Sequence, residues 1–225
     1  MVYSKVKKYV KKGVKNTWAL AKANPTATAN KALSMAKYLH GIINSELKSI
    51  LLHNALQTVD FNGVTIHLSD VQQGDLHNQR NGMSILARYL QFNISIGLPT
   101  SGLDECNGKL IIFYDKEKNY GTSNVPPTEL FELAGARNGY LSYTPVNNRN
   151  RFQYITSKRF SLSANGKRST VIHVNKKIFK HVKWEYNSQD RLENHIYAVL
   201  ITDTSSGATD KPLFDYTHKL KFYDN

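Results

Sequence analysis

The segment "RFSLSANGKRSTVIHV" (159–174) sets Asn165-Gly166 between two runs in which apolar residues alternate with polar ones. Asn-Gly is the dipeptide that most readily takes the positive φ angles of a two-residue hairpin turn. Ahead of the turn, Phe152, Tyr154, Phe160 and Leu162 fall on one strand face, interrupted by Lys158. Behind it, Ile172, Val174 and Ile178 do the same. The reading is an antiparallel hairpin.

The same signals extend outward from this hairpin. Asn-Gly recurs at 62–63, 81–82, 107–108 and 138–139, each a turn signal. Residues 83–98 place Leu86, Leu90, Phe92, Ile94, Ile96 and Leu98 on one side, and Pro99 ends the strand. "KLIIFYD" (109–115) and "IYAVLIT" (196–202) are unbroken apolar runs, the pattern of strands covered on both faces. Near the end, Phe214, Tyr216, His218, Leu220 and Phe222 alternate with Asp215, Thr217, Lys219 and Lys221. Short strands near 53–59 and 181–185 bring the count to eight, the number of a jelly roll. The long insertion is 117–148, where "PPTELFELAG" reads as a short helix closed by Gly135. The expected fold is all-β, an eight-stranded antiparallel jelly-roll β-sandwich over 50–225, preceded by a basic, helical N-terminal arm over 1–49.

Charge separates those two parts. The first acidic residue is Glu46, so residues 1–45 carry nine lysines, no carboxylate and a charge of +9 out of +13 for the chain. Val2, Val6, Val10 and Val14 recur every four residues with Tyr9 and Trp18 beside them, a basic amphipathic helix pattern weakened by Gly13. Pro25 breaks it, and a second helical period runs from Asn30 to Ser49 through Leu33, Ala36, Leu39, Ile43 and Leu47. Three readings compete: a solvated tail, a membrane-surface helix, and a nucleic-acid-binding arm. In the last, Lys5, Lys7, Lys8, Lys11, Lys12, Lys15 and Lys22 neutralise phosphate while Tyr9 and Trp18 stack on bases.

The remainder bounds the chemistry. A single cysteine, Cys106, cannot form an intrachain disulfide, and beside an Asn-Gly pair with no nearby histidine it reads as a bystander. The eight histidines show no metal-ligand spacing. "NGKRST" (165–170) departs from a phosphate-binding loop, because position 161 is Ser and Arg168 separates Lys167 from Ser169. No site for catalysis is read, and the chain is expected not to be an enzyme.

Three blocks carry a more specific resemblance: "HLSDVQQGDLHNQRNGMSI" (67–85), "FYDKEKNYGTSNVPPTELFEL" (113–133) and "NNRNRFQYITSKRFSLS" (147–163). In order and spacing they resemble coat proteins of the satellite tobacco necrosis virus type, and the related single-jelly-roll capsid proteins of small circular single-stranded DNA (CRESS-DNA) viruses. The likeness covers about residues 44–225, and its most specific part is Gln73-Gly74-Asp75 followed by Gln79-Arg80-Asn81-Gly82.

The resemblance implies a virion protein that self-assembles into an icosahedral shell of 60 copies around a single-stranded genome. DNA is favoured over RNA, and the host nucleus is a candidate place of assembly. It also implies calcium between subunits, for which Asp75 and Asp224 are the candidates; solvated acids at a turn and a terminus are the simpler reading. No other cofactor is expected. The alternative class is a cellular jelly-roll binding module, tethered to nucleic acid or membrane by its basic amphipathic tail.

Overall fold

The chain divides into two units, residues 1–46 and 47–225. The computed structural model describes residues 47–117, 123–132, 134–186 and 189–224, and the nine-lysine segment lies outside them. The described residues form two antiparallel sheets packed as a β-sandwich. One has five strands in the order β1 (Leu47–Thr58), β9 (Leu213–Asp224), β3 (Ser84–Gly97), β6 (Ser169–Trp184), β7 (Arg191–Glu193). The other has four, in the order β2 (Val64–His67), β8 (His195–Thr202), β4 (Glu105–Asp115), β5 (Phe152–Ser163).

The main core lies between the sheets, with Leu90, Phe92, Ile94 and Ile96 of β3 facing Leu110 and Ile112 of β4 and Ala198 and Leu200 of β8. A second apolar cluster lies on the outer side of the four-stranded sheet. There Ile111, Phe113, Tyr197, Val199 and Ile201 meet Val125, Leu130, Phe131 and Phe152. Successive residues of β4 and β8 thus enter opposite clusters, which is why both strands read as continuous apolar runs. All eight residues of β8 are buried.

The turn expected in 159–174 forms through Ala164–Gly166, with Ser163 donating its backbone N–H to the Lys167 carbonyl. The hairpin itself is corrected: β5 pairs with β4 in one sheet and β6 with β3 in the other, so the turn crosses between sheets. The alternation of β9 also holds, with Phe214, His218, Leu220 and Phe222 buried.

Several expectations are corrected. There are nine strands among the described residues, since four-residue β2 and three-residue β7 carry too short a pattern to read. The segments 169–178 and 181–185 are one strand, β6, interrupted by Phe179 at φ 64°. Leu86 faces away from the core, because an irregularity between Ala87 and Tyr89 leaves Arg88 without a partner on β9 and moves Ile85 and Ala87 inward. A second irregularity, between the pairs Ile112–Thr156 and Phe113–Tyr154, splits the four aromatic and aliphatic residues of β5. Phe160 and Leu162 join the main core, whereas Phe152 joins the second cluster.

Asn107-Gly108 is not a turn but the interior of β4. A Cβ at Gly108 would stand 2.3 Å from the Phe160 ring and 2.7 Å from the Ile201 carbonyl, so the glycine is there for close approach. The helix of the insertion is only four residues long, α1 (Pro127–Leu130), because Phe131 turns extended (φ −121°, ψ 116°) to enter the second cluster. The helical period read through Ser49 also fails at its end, where Leu47–Ser49 open β1 and Lys48 and Ile50 turn inward. Its residues up to 46 lie outside the described ones. Among the described residues no helix is long and apolar enough to cross a membrane.

Candidate nucleic-acid interface

The strands of the five-stranded sheet carry nine lysines and arginines against three acids, whereas those of the four-stranded sheet carry three against two. Register places several of these cations on the outer face. Lys177 of β6 lies across from Tyr89 of β3, which lies across from Lys221 of β9. Lys219 lies across from Gln91, and Gln91 from Asn175. These are cross-strand neighbours about 5 Å apart, so the cations form a compact group although the sequence separates them by more than forty residues.

The irregularity that inserts Arg88 completes the group. Its guanidinium stacks over Phe179, 4.2 Å from the ring centroid, and stands 5.1 Å from that of Tyr223. Phe179 is 53% exposed, so the cation and the ring are both presented to solvent. Among the described residues Arg88, Lys177, Lys219 and Lys221 form no ion pair, and the pair Lys183–Glu193 (2.8 Å) closes one edge of the face. A face of unpaired lysines interleaved with Tyr89, Phe179 and Tyr223 can neutralise phosphate and stack on unpaired bases.

The residues expected from the sequence fall in three places. Lys5, Lys7, Lys8, Tyr9, Lys11, Lys12, Lys15, Trp18 and Lys22 lie outside the described residues. Asp224 is occupied by a cation of the chain itself. Lys48 Nζ donates to its Oδ2 at 2.9 Å, and the Asn81 backbone N–H donates to the same oxygen at 2.8 Å. Asp75 is exposed in the loop after β2. The two acids form no common site, and among the described residues no group of three or more His, Cys, Asp or Glu is placed to hold a metal ion.

The loop that carries the most specific sequence block is organised by Arg80. This residue is fully buried, donates from Nε to the Val71 carbonyl at 3.2 Å and stacks 4.4 Å above the Trp184 ring. The block therefore has a structural role. Arg151 likewise is taken up by a bidentate pair with Asp115, both bonds 2.7 Å, and by Glu129. Cys106 is buried in the main core, and burial pushes its thiol up to about 12.

A cluster the sequence did not reveal joins His67, Ser69, Asp70 and His195. Ser69 Oγ lies 3.0 Å from His67 Nε2, and His67 Nδ1 lies 3.7 Å from Asp70 Oδ1. The order Ser–His–Asp suggests a nucleophile, but Ser69 is fully buried and its oxygen accepts the Ile196 N–H at 2.9 Å. It is not part of the wall of the neighbouring cleft, whereas His67 and Asp70 are. The hydroxyl ties β2 to β8 rather than facing a substrate.

The fold and this face define an antiparallel β-sandwich with one open, basic, aromatic-bearing sheet. No family model matches the chain, and no curated protein matches it. Among solved structures it is similar to a chain of Desmodium yellow mottle tymovirus, at 9% identity and a TM-score of 0.35, over 80% of this chain and 86% of that one. It is also similar to dimeric latent PorU from Porphyromonas gingivalis, at 11% identity and a TM-score of 0.34, over 80% of this chain but only 13% of that one. Likeness at this level establishes neither family nor function.

Proposed function

We propose that this protein is the coat protein of a small virus, a single jelly roll that self-assembles into a T=1 icosahedral shell and packages a single-stranded genome. The observation that carries the reading is the nesting of strand pairs. With three-residue β7 set aside, eight strands remain, and they pair first with last: β1 with β9, β2 with β8, β3 with β6, β4 with β5. That is one long hairpin, and rolling it brings β9 against β3 and β8 against β4. Two four-stranded sheets result, and this nesting supports the jelly-roll reading.

Charge and surface support the rest. A segment of nine lysines without an acid precedes a sandwich that itself presents a basic face. With about 60 copies, the segment would offer on the order of 540 positive charges to encapsidated phosphate, a sequence-independent and salt-sensitive contact. Edge strand β1 exposes Leu47, Leu51, Leu52 and Leu56, apolar surface that we assign to contact between copies. The genome is assigned as DNA, the location as the virion, and assembly to the host nucleus. Calcium is not needed by this reading.

The test is negative-stain microscopy of the purified chain, with absorbance at 260 and 280 nm on the same fraction. Uniform closed shells with excess absorbance at 260 nm are expected. A monomer or small oligomer at every salt concentration, with nucleic acid added, would replace this reading with a tethered binding module.

A further inference from the structure

A cleft of about 560 Å³ opens between the edge strands of the two sheets, walled by β1 and β9 on one side and β2 on the other. Its size is that of a small-ligand site. At its base sits Arg191, only 7% exposed. Nη1 supplies all of its hydrogen bonds, to the Ser123 carbonyl at 2.8 Å, Asn124 Oδ1 at 2.9 Å and Tyr197 Oη at 3.2 Å. Among the described residues Nε and Nη2 have no acceptor, and no carboxylate pairs with the guanidinium. A buried cation without a counter-charge is costly unless something else supplies one.

Two buried imidazoles face the same space with nitrogens unused. His218 of β9 is 2% exposed; neither ring nitrogen makes a close hydrogen bond among the described residues, and the Leu68 carbonyl is its one weak acceptor. His67 of β2 also leaves Nδ1 unbonded. Its tautomer follows from its neighbours: His195 Nε2 donates to the Lys183 carbonyl at 2.8 Å, so His195 Nδ1 is an acceptor and takes the His67 Nε2–H at 3.1 Å. His67 Nδ1 is then a bare lone pair, and one added proton makes it a donor at the cleft wall, with Asp70 Oδ1 3.7 Å away. Among the described residues Asp70 is the only carboxylate on the cleft wall, and its side chain is 44% exposed. Arg191 opposes a metal cation at this place.

From the unpaired guanidinium and the two unused imidazoles, we propose that this cleft binds a tetrahedral oxyanion, a phosphate or sulfate group, on the Nε/Nη2 fork of Arg191 with His67 and His218 as proton-dependent donors. Binding is coupled to proton uptake. The charged and titratable groups around the imidazoles are Arg191 of β7, His195 of β8, Asp70 beyond β2, and each other. Burial holds both rings neutral, His218 at about 4, so an arriving anion raises their affinity for protons. The site is independent of whether the chain forms shells.

The experiment measures thermal stability of the full chain against sulfate at constant ionic strength, with sodium chloride as the balance, because sulfate does not titrate between pH 5.5 and 7.5. A saturable increase in Tm is expected, with affinity rising by up to about tenfold per pH unit lowered for each proton taken up. Asp70→Asn, at the rim, should tighten binding, and His218→Gln should flatten its pH dependence. Orthophosphate, deoxyadenosine 5′-monophosphate and deoxyadenosine then separate the sources. Equal effects of the first two indicate a free ion, and a stronger effect of the nucleotide indicates a nucleic-acid phosphate. No saturable effect beyond sodium chloride at either pH would overturn the proposal, as would a sulfate effect unchanged in both variants.

Discussion

The two sheets carry outer faces of opposite character. That of the four-stranded sheet is apolar and covered, with Phe113, Tyr197 and Val199 packed beneath Val125, Leu130 and Phe131. That of the five-stranded sheet is open, and Lys177, Tyr89 and Lys221 lie across from one another on it. One sandwich thus uses a sheet face as a second core and keeps the other for solvent or a polyanion. The difference comes from alternation: β4 over Leu110–Tyr114 and β8 over Ile196–Ile201 are apolar at every position, β9 only at every second one.

Four perturbations would break or sharpen that contrast. The largest effect is expected on the covered face. Phe113→Ala leaves a cavity between the sheet and α1 and should cost about 3–5 kcal/mol in chemical denaturation. Acid comes second. Burial lowers His218 to about 4 and His195 to about 3, below the ordinary 6.5, so the unfolded chain binds protons that the folded chain does not. Their contribution is intact above pH 6.5 and is lost as pH falls toward 4 and 3, at up to about 1.4 kcal/mol per pH unit for each ring. His218→Gln should reduce that slope in denaturation curves taken from pH 7 to 4. Third, Gly108→Ala forces a Cβ against the Phe160 ring and the Ile201 carbonyl and should cost about 1–3 kcal/mol. Smallest in stability is the open face: Lys177→Gln, Lys219→Gln and Lys221→Gln should each change unfolding by less than about 0.5 kcal/mol. Each should nevertheless lower the slope of log affinity for single-stranded DNA against log salt by about one.

The same contrast decides what the sequence could disclose. The turn at 164–166 and strands β4, β8 and β9 were legible because their patterns are local and regular, whereas the alternation on both sides of that turn could not show that its two strands enter different sheets. Arg88, Phe179 and the irregularity in β5 were not, because one inserted residue reverses every later face while leaving composition unchanged. Asn107-Gly108 misled because the dipeptide that favours a turn also suits a strand crossed by an aromatic ring. The lysines of 1–45 stand out as a run, whereas Arg88, Lys177 and Lys221 come together only through register. Arg191, His67 and His218 belong to strands distant in the chain, so no spacing rule could have joined them.

On the proposed function, the sandwich builds the particle and the basic segment holds its genome. The most direct measurement is the 260/280 nm absorbance ratio of particles made by a chain lacking residues 2–22, with circular dichroism of the same sample. The account predicts β-rich particles whose nucleic-acid absorbance falls sharply from that of the full chain. An unchanged ratio would contradict it and move genome binding to the sheet face or elsewhere.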